Sequence, residues 1–134
     1  MRAEFTIHAA PIGKARPRVT MHGTYTPKAT KQYEDLVKAD FIKQCIGTDF
    51  GDRALEINID AIYQIPKRAN KETRRKMLSG EIRPTKKPDY DNISKAVCDA
   101  LNGLAYKDDA QIVDAHCHKY YGEIPMVIVA IEEV

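Results

Sequence analysis

Residues 54–65 read Ala54-Leu55-Glu56-Ile57-Asn58-Ile59-Asp60-Ala61-Ile62-Tyr63-Gln64-Ile65. Successive side chains of an extended chain point to opposite faces, so Leu55, Ile57, Ile59, Ala61 and Tyr63 fall on one side, with Glu56, Asn58 and Asp60 on the other. This is a strand with one buried and one wet face. Between Pro88 and Ala105 the period changes: Ile93, Ala96, Val97, Ala100, Leu101 and Leu104 make the apolar stripe of a helix whose polar face carries Asp91, Lys95 and Asp99.

Outward from these two segments, residues 2–9 alternate apolar with polar and predict a first strand that ends at Pro11. A basic loop, Gly13-Lys14-Ala15-Arg16-Pro17-Arg18, leads to the β-prone piece Gly23-Thr24-Tyr25-Thr26, which reads as a hairpin. Pro27 suits the first turn of a helix capped by Thr26, and Tyr33, Val37, Phe41 and Cys45 recur along one face to about Ile46. A short helix is expected from about Lys71 to Ser79, stopping at Gly80. Two last strands, Ile112 to Tyr120 and Met126 to Ile131, flank the turn residues Gly122 and Pro125. The pattern predicts an α+β fold in which a small mixed β-sheet has helices packed on one face.

With 134 residues the chain suits a single domain spanning residues 1–134. No stretch approaches the roughly 20 apolar residues that cross a bilayer, and the N-terminus lacks the pattern of a signal peptide. Cys45, Cys98 and Cys117 are an odd, widely spaced set, read as buried free thiols. Together these features predict a cytoplasmic protein.

The net charge of +2 conceals an uneven distribution. From Lys67 to Lys87, nine basic residues (Lys67, Arg68, Lys71, Arg74, Arg75, Lys76, Arg83, Lys86, Lys87) stand against Glu72 and Glu81, giving +7. From Pro88 to Asp114, six aspartates stand against Lys95 and Lys107, giving −4. A basic arm joined to an acidic cluster suits phosphodiester chemistry, in which one part attracts the backbone and the other holds metal ions. Two solvated faces of opposite charge give the same composition.

Asp89 and Asp91 stand at the start of the amphipathic helix, where one carboxylate serves as an N-cap and two exceed that need. Asp108 and Asp109 return just before a strand and rejoin the helix start only if that strand runs back beside it, since a helix of about 14 residues is roughly 21 Å long. If they meet, each pair of carboxylates at about 4 Å repels by roughly 4 kcal/mol under an effective dielectric near 20, and the cluster calls for a cation. Oxygen ligands without a convincing His or Cys partner select Mg²⁺ or Mn²⁺. Lys95, one turn after Asp91, is placed either to donate to a phosphate or to form an ion pair with Asp91.

The runs Asp89-Tyr90-Asp91-Asn92 with Lys95, Asp99-Ala100-Leu101-Asn102-Gly103 and Asp108-Asp109-Ala110-Gln111-Ile112 resemble the signature of the RusA-type Holliday junction resolvases. Lys14-Ala15-Arg16-Pro17-Arg18, Thr24-Tyr25-Thr26-Pro27-Lys28 and Tyr33-Glu34 are similar to the subgroup of phages and prophages. The resemblance implies a homodimeric, Mg²⁺-dependent endonuclease that cuts four-way DNA junctions symmetrically in recombination and repair. It implies metal binding by Asp89, Asp91 and Asp109, with Asp108 supporting and Lys95 assisting catalysis. Lys14, Arg16, Arg18, Lys67, Arg68, Lys71, Arg74, Arg75, Lys76, Lys86 and Lys87 are the candidate DNA contacts.

Two other readings predict different behaviour. A non-catalytic DNA-structure binding module binds junctions without a metal-dependent product, and a nuclease for flaps, forks or RNA cuts without a junction. His116-Cys117-His118 has strand spacing suited to half a zinc site but no second pair, and reads more simply as surface histidines around a buried thiol. An EF-hand at Asp89 fails because its sixth position is Ser94 rather than Gly.

Overall fold

The computed structural model describes residues 1–15, 18–25 and 27–134, without the side chains of Arg18 and Tyr25. In chain order its elements are β1 (Arg2–Ile7), β2 (Arg18–Thr20), β3 (Gly23–Tyr25), α1 (Lys28–Gln44), β4 (Leu55–Gln64), α2 (Lys71–Ser79), α3 (Tyr90–Leu101), β5 (Ile112–Gly122) and β6 (Met126–Glu133). A 3-10 turn, Asp109–Gln111, precedes β5. The main sheet has four strands in the order β1-β6-β4-β5, and β2 pairs with β3 in a separate two-stranded sheet. β4 runs parallel to β5 and antiparallel to β6, so the sheet is mixed, as the α+β reading requires.

The alternation of residues 54–65 is realised in full. Leu55, Ile57, Ile59, Ala61 and Tyr63 are buried, and the intervening residues are half-buried. They join Ala3, Phe5 and Ile7 of β1 and Val127, Val129 and Ile131 of β6 in one core. α1 covers that face with Tyr33, Val37 and Phe41, and α3 covers it with Ile93, Ala96, Val97, Ala100 and Leu101. Each large apolar side chain so buried contributes roughly 1.5–3 kcal/mol. α2 contacts the edge strand β5 instead, seating Met77.

Several boundaries differ from expectation, with β5 running on through the expected turn residue Gly122 and β6 continuing to Glu133. β1 stops at Ile7 because its ladder partner β6 begins at Met126, and the amide of His8 turns to Asp40 Oδ2 instead. Pro27 is the cap of α1 rather than part of its first turn, and the expected cap Thr26 lies outside the described residues. α3 ends at Leu101, before Gly103 turns the chain at φ +77° and the Gly103 amide donates to Tyr106 O.

Candidate active site

α3 is sealed to the core by its apolar stripe, which leaves Asp91 and Lys95 exposed. Asp89 occupies the N-cap position with extended backbone, yet its carboxylate caps nothing. It lines an open hollow with Pro11, Gly13, Lys14, Lys87 and Asn92. Gly13 permits the N-terminal loop to approach α3 here, since a Cβ at that residue would stand 3.0 Å from Pro88 Cβ and 3.1 Å from Asn92 Cβ. The Lys14 amide donates to Asn92 O at 3.0 Å and closes the contact.

A second groove runs along the same helix, lined by Ser94, Lys95, Cys98, Asp99, Asp109 and Ile112. The turn carrying Asp109 is built from several hydrogen bonds. Asp108 and Gln111 form a capping box, Gln111 Nε2 donates to Gly51 O and Arg53 O, and Asn102 Oδ1 accepts from the Asp109 amide at 3.1 Å. The two adjacent aspartates therefore differ: Asp108 is spent on the turn, whereas Asp109 faces the groove. Partial burial, the Asp108 hydrogen bond and repulsion from Asp108 and Asp99 raise the Asp109 pKa above 3.8.

The expectation that three or four of these carboxylates lie together needs correcting. Among the described residues no group of three or more His, Cys, Asp or Glu side chains is gathered to hold a metal. The connection from Leu101 to Asp109 folds on itself, with the Leu104 and Ala105 amides donating to Leu101 O and the Asp109 amide to Asn102 Oδ1, so Asp109 stays near the end of α3 while Asp89 lies about 15 Å from Asp99 at 1.5 Å per residue. Asp109 meets Asp99 and Lys95 instead. No ion pair joins Asp91 to Lys95 among the described residues. The donor set still fits Mg²⁺, which is usually held by one or two carboxylates with water and substrate phosphate completing the shell. Asp89 has a free carboxylate, and Asp109 lies among like charges that a cation relieves.

The basic residues divide. Lys67, Arg68, Lys71, Lys86 and Lys87 are exposed and Lys76 is half-exposed. Arg75 pairs with Glu72 and Glu81, the two carboxylates already set against the basic count, and Arg74 pairs with Glu123 at 3.1 Å, outside the counted segment, which makes the free charge smaller than the count suggests. Lys14 is a clearer correction. Its ammonium bridges Glu34 and Asp99, with only 17% of its side chain exposed. Partial burial lowers its pKa, but the hydrogen bond and charge of Glu34, followed by Asp99, raise it overall. Arg16 and the side chain of Arg18 lie outside the described residues.

Cys45, Cys98 and Cys117 are free, the first buried and the others half-buried. Burial pushes the Cys98 thiol up to about 11. His116 lies 3.9 Å from Glu56 and His118 3.3 Å from Asp60, on the sheet face away from α3. Asn102, Tyr63 and Lys119 were not singled out in sequence, although Lys119 shares the inward parity of Cys117 and Tyr121.

The family described as Endodeoxyribonuclease RusA matches residues 8–132. The chain is also similar to the uncharacterized protein YqaN of Bacillus subtilis (strain 168), with 37% identity over 140 residues, covering 98% of this chain and 96% of the relative.

Proposed function

The chain belongs to the RusA endodeoxyribonuclease family, and on that premise we propose that it resolves four-way DNA junctions by paired, symmetrical, Mg²⁺-dependent phosphodiester cleavage. The observation that carries this reading is the groove in which Lys95, Asp99 and Asp109 meet. Its lysine can bind a phosphate oxygen, while its like-charged carboxylates favour a cation.

Asp89 and Asp91 at the start of α3, and Asp109 beside Asp99 further along it, are the proposed Mg²⁺-binding carboxylates, with Mn²⁺ the expected substitute and Asp108 holding the turn that presents Asp109. The bound cation supplies charge neutralisation at the phosphate and a lowered pKa for its water. Water attacks phosphorus in line with the 3′ oxygen and gives up a proton to solvent, the bond to that oxygen breaks and the oxygen takes a proton from solvent, leaving 5′-phosphate and 3′-hydroxyl ends, while Lys95 donates to a non-bridging phosphate oxygen as charge develops there. Lys67, Arg68, Lys71, Lys76, Lys86 and Lys87 draw in the DNA backbone, which makes binding salt-dependent. Each chain carries one acid set, so cutting opposed strands calls for a two-fold homodimer.

The test is cleavage of a labelled mobile four-way junction beside a matched linear duplex, with Mg²⁺ or EDTA. Paired nicks on the junction alone, abolished by EDTA, are expected. Equal cutting of both DNAs would remove junction selectivity, and tight binding without product under any divalent metal would leave a binding module. Sedimentation that found only an active monomer would remove the dimer.

A further inference from the structure

Lys119 stands on a face of β5 where the pattern calls for an apolar residue. Cys117, Lys119 and Tyr121 pair with Ile59, Ala61 and Tyr63 of β4, all three buried on the helix-covered side of the sheet. The residue is half-buried, and its ammonium finds a partner outside its own strand. Lys119 Nζ donates to Lys86 O at 2.7 Å and lies 5.2 Å from the centre of the Tyr63 ring. Tyr63, only 5% exposed, donates its hydroxyl to Pro88 O at 2.7 Å.

Three more contacts fasten the same segment. Arg83 Nε donates to Lys119 O at 2.8 Å while its guanidinium lies 4.2 Å from the centre of the Tyr120 ring, and Lys86 Nζ sits 5.9 Å from that of Tyr121. Residues 83–88, which form neither helix nor strand, are thus tied to β4 and β5 at Arg83, Lys86 and Pro88. The last tie is one residue from Asp89. Loop carbonyls usually turn to water, but these two are held by side chains from paired strands, one through a charge-assisted hydrogen bond.

We infer that Lys119, together with Tyr63, is a positioning residue: it fixes the backbone of Lys86–Pro88 and thereby sets where Asp89 enters the cutting site. The inference rests on the nuclease reading for its consequence, but not for the tether itself. Lys119 works through the loop rather than by touching DNA. Its loss therefore lowers the cutting rate and spares binding.

The test compares Lys119→Met, Lys119→Arg and Tyr63→Phe with the unaltered protein. Single-turnover junction cleavage is expected to fall by about 10- to 100-fold in Lys119→Met, the scale of a reacting group misplaced by about 1 Å. Junction affinity is expected to stay within about two- to threefold, and Lys119→Arg to recover part of the rate. In DNA-free protein, exchange of the Ile93 amide, which donates to Asp89 O at 3.0 Å, is expected to accelerate in Lys119→Met and Tyr63→Phe, while β4 and β6 amides stay protected and show that the variants are folded. An unchanged rate, a parallel loss of affinity and rate, or unchanged exchange at Ile93 would overturn the positioning role. If the unaltered protein cut no DNA, the nuclease reading would fall, and the exchange measurement alone would decide the tether.

Discussion

Lys14→Met separates two roles for a lysine first read as a DNA contact. Its ammonium lies 3.4 Å from Asp99 Oδ2 and closer to Glu34, and the Lys14, Glu34 and Asp99 side chains are 17%, 18% and 29% exposed. At 3.4 Å and an effective dielectric near 20, one such pair attracts by about 5 kcal/mol, a ceiling that desolvation reduces. Hydrogen bonds to charged groups contribute about 1.5–3 kcal/mol net, and removing Lys14 leaves two carboxylates facing each other. The expected loss is about 2–3 kcal/mol, which lowers Tm by about 6–15 °C in a domain of this size. Urea unfolding should show a lower midpoint with an unchanged slope. Because folding raises the Lys14 pKa, its contribution is full below the ordinary value of 10.5 and is lost as pH climbs through the higher folded value. A variant with Tm within about 2 °C of the parent, but with a junction-binding salt slope reduced by about 0.9, would refute this reasoning and restore Lys14 as a phosphate ligand.

Asp109→Asn is expected to raise Tm at pH 7. The folded pKa of Asp109 is raised, so its protonated form favours folding below 3.8 and that benefit is lost as pH rises through the folded pKa; melts below 3.8 should show the advantage of Asn gone. Phe41→Ala removes a ring that is 2% exposed and meets Phe5 edge-on at 5.4 Å, and should cost about 3–5 kcal/mol in urea unfolding without changing the junction-to-duplex preference of the remaining folded protein.

The elements whose side chains alternate or recur strongly were legible from sequence. Residues 54–65 contain β4, and the expected span Lys71 to Ser79 coincides with α2. Ends set by a distant partner were less legible: nothing in residues 2–9 says that β6 begins at Met126 and leaves His8 unpaired in the ladder. The same limit applies to the site. The acidic residues of the RusA signature were identifiable, but their grouping depended on the turn that Asn102 and Gln111 hold beside Asp99. Charge counting overstated Arg74, whose partner Glu123 lies beyond β5, and the basic loop gave no sign that Lys14 pairs with Glu34 of α1 and Asp99 of α3. Lys119 was readable from strand parity alone, but its partner, the Lys86 carbonyl, was not.

The most direct test of a catalytic acid set at the start of α3 is cutting by Asp91→Asn at matched occupancy of a labelled four-way junction in Mg²⁺. The substitution keeps the shape of an exposed helix residue and removes one proposed metal ligand. Junction binding should persist while paired nicks disappear. Normal nicking by Asp91→Asn would contradict the assignment of the catalytic carboxylates.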